Sequence, residues 1–332
     1  LDLSWVVKKV LKAIRPRCVI LVELEIWPNF LISTAKMNIP VVLLNARISE
    51  KSLKWYRVFR KISKEFFVGL TKKGNVFCAR AEIDATRLMN LGIPESQVEI
   101  TGNMKFDNLV TGVTEETKKW LSCLFGLDQG DKVIVCGSTH EGEEAVLLNV
   151  FRRMQQKIKN VRLVLAPRHI ERVEGIVKLI ESLRFRWVRK TSLDKGQRID
   201  EPKEETVILI DTMGDLQTTY SIADCVFVGK SLVPQGGQNM MEPAGLAKPV
   251  MVGPHTFNFR EEVQLLKEAD AIEIVQDESA LLNKMMYFLE HPDVAREVGK
   301  RAQSVVMNQR GATDRNLKVL GKILLKERTV SV

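Results

Sequence analysis

The stretch "CVFVGKSLVPQGGQNMMEPAGLAKPVMVGP", residues 225–254, decides the fold. Its ends, "CVFV" and "PVMVGP", are short apolar runs that read as buried strands, and the segment between them carries two glycines and a helical tail. Pro243 has no N–H and is tolerated only in the first turn of a helix, so that helix starts no earlier than about Asn239. A strand, a helix and a second strand in succession make a parallel pair. Gly236 and Gly237 let the backbone approach a ligand, and free N–H groups at a helix start favour an anion such as phosphate. Glu242 stands three residues after Asn239. That is capping-box spacing, which accepts a bond from the Asn239 N–H; a carboxylate here equally suits ribose hydroxyls, and spacing leaves both open.

The same alternation runs outward from this stretch in both directions. "CVILVE" (18–23), "PVVLLNA" (40–46), "NVFCAR" (75–80) and "VEITGN" (98–103) form one series of strands. "KVIVCGS" (132–138), "VRLVLAP" (161–167), "RWVRK" (186–190), "TVILID" (206–211), "CVFVGKS" (225–231) and "PVMVGP" (249–254) form a second. Helical patterns separate them, so each series predicts a parallel sheet covered on both faces. Between the series, residues 107–132 offer a helix start capped by Thr114 but no strand, which places a boundary near 108–118. From about Pro292 the chain reads as helix, with a tail able to pack back on the first half. The expected fold is α/β, with two doubly wound parallel sheets facing a cleft.

With 332 residues, 45% of them apolar, the chain is long enough for two cores. No run reaches the ~18 apolar residues of a membrane span. Cys18, Cys78, Cys123, Cys136 and Cys225 lack metal-ligand spacing and read as buried thiols. His140, His169, His255 and His291 lie far apart, so no linear motif proposes a metal. The net charge of +9 is uneven: residues 47–73 hold nine Lys/Arg against two Glu. Trp55, Tyr56, Phe59, Ile62 and Phe66 recur there at helical spacing, giving an amphipathic helix with a basic face. Such a face is either solvated or directed at anionic headgroups through residues such as Lys54, Arg57, Lys61 and Lys64. No nucleic-acid-binding motif accompanies the charge, so nucleic acid is not an expected partner.

Polar residues gather at four strand ends: "GSTHEGEE" (137–144), "PRHIER" (167–172), "DTMGDL" (211–216) and "GKSLVPQGGQNMMEP" (229–243). In a parallel sheet these ends share one edge, which predicts a single site, although strand-to-helix turns also need Gly, Ser and Asp for geometry. In the first series, "VELEIWPN" (22–29) puts Glu23 at a strand end, followed by Glu25, Trp27 and Pro28. Glu23 reads either as a capping carboxylate or as a group for acid–base or electrostatic work. "TGNMKFD" (101–107) offers Lys105, a surface lysine or a cation for a developing negative charge.

Together with "NARIS" (45–49) and "GPHTFNF" (253–259), these motifs resemble, in order and from residue 1 onward, the 3-deoxy-D-manno-octulosonic acid (Kdo) transferases of lipopolysaccharide synthesis. The resemblance implies a GT-B glycosyltransferase fold, with a partial acceptor-side domain over 1–112, a donor-binding domain over 113–300 and a C-terminal helix over 301–332. It implies inverting transfer of Kdo from CMP-Kdo to the lipid A precursor at the cytoplasmic face of the inner membrane, with no cofactor and no bound metal. Pro167, Arg168, Met213, Gly214, Asp215, Asn239, Met240, Met241 and Glu242 match CMP-binding segments, and Glu23 and Lys105 match positions that support the transition state. Gln238 stands where His is common, Asn103 where Ser or Asn occurs, and Lys230 where Gly is usual.

The family's general base is a glutamate in a Gly-Glu motif near its N-terminus, and the membrane anchor also lies there. No counterpart stands in these 332 residues, so the resemblance implies a chain lacking about the first hundred. The alternatives are a module that binds only CMP and a lipid surface, and a sugar-nucleotide epimerase of the same fold, which would take UDP.

Overall fold

The computed structural model describes residues 2–23, 26–199 and 203–326, with the backbone alone at 51, 59–62, 204 and 326. Glu25 and the residues beyond 326 lie outside the described set. The chain divides into two compact units, one of Leu1–Asn108 with Gln309–Val332, the other of Leu109–Asn308.

The first unit is built on four strands, β1 (Val19–Val22), β2 (Val41–Ala46), β3 (Val76–Ala79) and β4 (Val98–Ile100). All are parallel and stand in sequence order. Strand β2 is buried throughout, as the continuous apolar run predicts for a sheet covered on both faces. Period-two alternation divides its side chains: Val41 and Leu43 join Leu31, Phe66, Phe77 and Leu88 on one face. Val42 and Leu44 pack with Cys78, Val319 and Leu320 on the other. The last two belong to the helix Ala312–Lys326. Asp107 ties that helix to the exit of β4, accepting from the Gly311 and Thr313 N–H groups at 2.6 Å each. Burial alone would raise the Asp107 pKa, but these N–H donors and the Thr313 side chain hold it below the usual carboxylate value.

The basic segment folds as two helices, Glu50–Ile62 and Lys64–Leu70, where the sequence predicted one. The break falls at Ser63, whose hydroxyl accepts from the Phe66 N–H at 3.2 Å and caps the second helix. Tyr56 and Phe66 are buried in the core, whereas Trp55 is 54% exposed, so the apolar residues of this segment do not share one inward face. Residues 54 and 55 share the outward side of the helix. Lys54, Arg57 and Lys64 are exposed, and the side chains of Phe59, Lys61 and Ile62 lie outside the described set.

The second unit carries seven parallel strands: β5 (Lys132–Thr139), β6 (Val161–Pro167), β7 (Arg186–Arg189), β8 (Thr206–Leu209), β9 (Cys225–Val228), β10 (Val250–Val252) and β11 (Ile272–Ile274). Their order is β11-β10-β9-β5-β6-β8-β7. The chain starts at the central β5, passes to β6 and then to β7 at the edge, comes back to insert β8 between β6 and β7, and returns to lay β9 on the other side of β5. The reversal between β5 and β9 is the switch point at which open α/β sheets bind ligands. Thr114 caps the helix Glu115–Leu124 as read, its hydroxyl accepting from the Thr117 N–H at 3.3 Å. Strand β11 was not read from sequence, because three residues with a charged centre, Ile-Glu-Ile, give too little alternation. Of the cysteines, Cys78, Cys136 and Cys225 are buried as expected, Cys18 is partly buried, and Cys123 is exposed on the outer side of a helix.

Candidate functional site

The four strands with polar ends, β9, β5, β6 and β8, are consecutive neighbours in the seven-stranded sheet. Their carboxyl ends surround one cavity of about 230 Å³. Ser138 enters from β5, Pro167 and Arg168 from β6, Thr212, Met213 and Gly214 from the turn after β8, and Gln238, Asn239 and Glu242 from the loop after β9. The register between β5 and β6 slips between Gly137 and Thr139, and Ser138 takes a φ of 54° at the slip. Such bulges re-aim side chains at strand ends. Gly137 has no room for a side chain, since a Cβ there would lie 1.9 Å from the Tyr220 hydroxyl.

The loop after β9 turns through Gly236 and Gly237, at φ 99° and 81°, which glycine alone adopts without strain. The helix that follows spans Met241–Gly245, a single turn that starts after Asn239, within the limit that Pro243 sets. So short a helix has only a weak dipole, and the polar groups that Asn239 and Glu242 bring to the cavity are side chains instead. Asn239 Oδ1 accepts from the Met241 N–H at 3.1 Å, and Asn239 Nδ2 donates to Glu242 Oε1 at 3.0 Å. The capping-box bond from the Asn239 backbone is thus replaced by one from its side-chain amide, which leaves Glu242 Oε2 available. Burial raises the Glu242 pKa above the ordinary glutamate value, opposed by the Asn239 bond and the positive charge of Arg168.

Three of the residues read from sequence do not line the cavity. Met240 and Met241 are fully buried beneath the loop and act as its apolar footing. Asp215 instead joins Thr212 and pairs with Lys190 at 3.2 Å, which braces the turn carrying Met213 and Gly214.

Sequence reasoning missed the groups that fix the loops. Glu143 is completely buried, and its carboxylate accepts four backbone N–H groups: His140 at 2.9 Å, Lys230 at 2.7 Å, Ser231 at 2.9 Å and Leu232 at 3.0 Å. It staples the turn after β5 to the turn after β9 across the switch point. Glu144, also buried, receives Arg172 on both oxygens at 2.8 and 3.0 Å and the Thr139 hydroxyl at 2.8 Å. In sequence the pair looks like ordinary first-turn glutamates. The signal available was a pair of acids a few residues after a buried strand. His140 and His169, far apart in sequence, meet with ring centroids 5.6 Å apart because β5 and β6 are neighbours. Burial lowers the His140 pKa, against the bond to the Ser138 carbonyl.

In the first unit, Glu23 ends β1 at a φ of 63°, and its Oε1 lies 3.5 Å from Lys105 Nζ. Both side chains are more than half open to solvent or close to it, 50% and 62% exposed, and so remain available to a substrate. The structure therefore brings together the two residues read from sequence as a carboxylate and a cation. Among the described residues, no group of three or more His, Cys, Asp or Glu is placed to hold a metal ion. Among them too, no helix is long and apolar enough to cross a membrane.

Comparison with known proteins agrees with this geometry. A family model described as 3-deoxy-D-manno-octulosonic-acid transferase (kdotransferase) matches residues 1–108. The 3-deoxy-D-manno-octulosonic acid transferase of Haemophilus influenzae is 34% identical over 323 residues, 96% of this chain and 73% of that protein. The transferase of the same name from Bordetella pertussis is 29% identical over 324 residues, 96% of this chain and 72% of that one. Among solved structures, the C-terminal CMP-Kdo binding domain of WaaA from Acinetobacter baumannii matches with 28% identity and a TM-score of 0.52, covering 57% of this chain and 96% of that domain. The UDP-GlcNAc 2-epimerase of Neisseria meningitidis, 18% identical with a TM-score of 0.61 over 97% of this chain and 80% of its own, shares the fold alone. The fold is that of the GT-B glycosyltransferases and epimerases, and the chain belongs to the 3-deoxy-D-manno-octulosonic acid transferase family.

Proposed function

We propose that the protein transfers Kdo from CMP-Kdo to the lipid A precursor with inversion at the anomeric carbon. The observation that carries the donor assignment is the convergence of Arg168, Asn239 and Glu242 on one cavity at the switch point of the second unit. Arg168 supplies a guanidinium for the phosphate, and the free oxygen of Glu242 accepts from ribose hydroxyls. Pro167, Met213 and Gly214 shape the walls against which the base lies, and the two glycines let the loop approach it. The likeness to a CMP-Kdo binding domain supports cytidine over uridine.

Lys105 is the cation that stabilises negative charge developing in the transfer, and Glu23 keeps it extended. The exposed Lys54, Arg57 and Lys64, interleaved with exposed Trp55, Val58 and Val68, form the surface that meets anionic lipid. The exposed basic and apolar side chains of this surface support the reading that the protein works at the cytoplasmic face of the inner membrane, beside its acceptor. No cofactor enters this scheme. The test is release of CMP from CMP-Kdo on adding the lipid A precursor, followed by mass spectrometry of the lipid. A lipid heavier by one or more Kdo residues is expected; CMP release without such a product would point to hydrolysis and overturn the reading.

A further inference from the structure

Strands β1 and β4 are the two outer strands of the four-stranded sheet, with β2 and β3 between them. Three interstrand steps of about 4.8 Å separate their ends by roughly 14 Å. A lysine side chain spans less than half of that, so Lys105 reaches Glu23 only because the backbone after β4 crosses the carboxyl edge of the sheet. The crossing is made in steps. The Thr101 and Gly102 N–H groups bond to the Ala79 carbonyl at the end of β3, at 2.9 and 3.4 Å. The Met104 N–H then bonds to the Asn45 side-chain carbonyl on β2, at 3.1 Å. The Lys105 N–H closes the turn on Asn103 Oδ1 at 3.1 Å, and its ammonium meets Glu23 beyond β1.

Asn45 is the middle support of this bridge, and its own conformation is unusual. It is 4% exposed, it stands where the β2–β3 register shifts between Leu43 and Ala46, and its φ is 53°. Asparagine, aspartate and glycine tolerate that region, whereas other residues adopt it at a cost. The buried acceptor at the end of β2 is therefore held by a backbone that departs from strand geometry, and the N–H it receives is one residue before Lys105.

We infer that Asn45 is a positioning residue for the transfer reaction, holding the Met104–Phe106 turn over the sheet edge so that Lys105 is presented beside Glu23. The inference rests on the reading of Lys105 as the charge-stabilising cation. The test compares N45D, which keeps both the φ tolerance and an acceptor oxygen, with N45G, which keeps the φ tolerance and removes the acceptor. K105A and the N45G/K105A double variant complete the set. Transfer rate, CMP affinity by calorimetry and amide exchange at Met104 are read for each.

N45D keeps near-normal transfer, while N45G loses about ten- to a hundredfold in rate, the scale of a misplaced catalytic group. CMP affinity is unchanged in both, the Met104 amide exchanges faster in N45G alone, and N45G adds nothing to the loss in K105A. A normal rate in N45G beside a slow K105A overturns the role of Asn45 and leaves that of Lys105 standing. A normal rate in K105A overturns the reading of Lys105, and this inference with it. Faster exchange throughout the first unit in N45G would reduce Asn45 to a structural residue and also count against the inference.

Discussion

Lys105 Nζ stands 3.5 Å from Glu23 Oε1, although the strands that lead to them are the outermost pair of their sheet. Both side chains are largely exposed, so the pair contributes at most about 1 kcal/mol to stability. The account therefore expects K105A to leave the melting temperature almost unchanged while lowering the rate of Kdo transfer by about a hundredfold or more, the scale of a lost charge-stabilising group. E23Q should cost less, because it loosens the lysine without removing it. Steady-state kinetics beside a thermal melt checks both; a K105A enzyme that unfolds early would show the pair to be structural instead.

Glu242 sets stability against binding. Burial raises its pKa above the ordinary value of 4.5, so the folded state favours the protonated carboxyl. Its stabilising contribution is fully present below pH 4.5 and is lost as pH rises through the higher folded value. E242Q, which keeps an acceptor for Asn239 and carries no charge, should melt higher than the parent at pH 7 to 8, by roughly 2 to 4 °C if the relief is about 1 kcal/mol. The gain should vanish below pH 4.5. Calorimetric melts across that range decide the matter, and a gain that does not depend on pH would show that burial of the charge is not its cause.

The basic segment carries the membrane proposal. Lys54, Arg57 and Lys64 are exposed beside Trp55, Val58 and Val68. With about 1 kcal/mol per cation near an anionic surface, reversing all three charges should weaken partition to phosphatidylglycerol vesicles by at least about a hundredfold. Binding to neutral vesicles should change little. Co-sedimentation at fixed salt reads both, and unchanged partition to the anionic vesicles would remove this surface from the account.

Much of this was legible in the sequence. Ten of the eleven strands among the described residues were readable because buried parallel strands are written as short apolar runs, and Thr114 announced its helix by type and position. The common rim followed from polar residues at four strand ends, and the sheet does place β9, β5, β6 and β8 side by side. What sequence could not show was set by tertiary pairing. The meeting of His140 with His169 depends on β5 lying beside β6. The buried Glu143 looks like any first-turn acid until four N–H groups from two loops converge on it. Local rules held at one place and fell short at another. Pro243 set the earliest helix start near Asn239, and the helix begins inside that limit at Met241, where the Asn239 side chain takes the N–H. Ser63 capped a second helix inside what periodicity drew as one.

The central claim is that the cavity ringed by Arg168, Asn239 and Glu242 holds the cytidylate of the donor. Titration calorimetry of the protein with CMP and, separately, with UDP tests it most directly. The account predicts one CMP bound per chain, at least about tenfold more tightly than UDP, a difference of about 1.4 kcal/mol, with most of the affinity lost in R168A and E242Q. Equal or tighter binding of UDP, or CMP affinity that survives both substitutions, would contradict it.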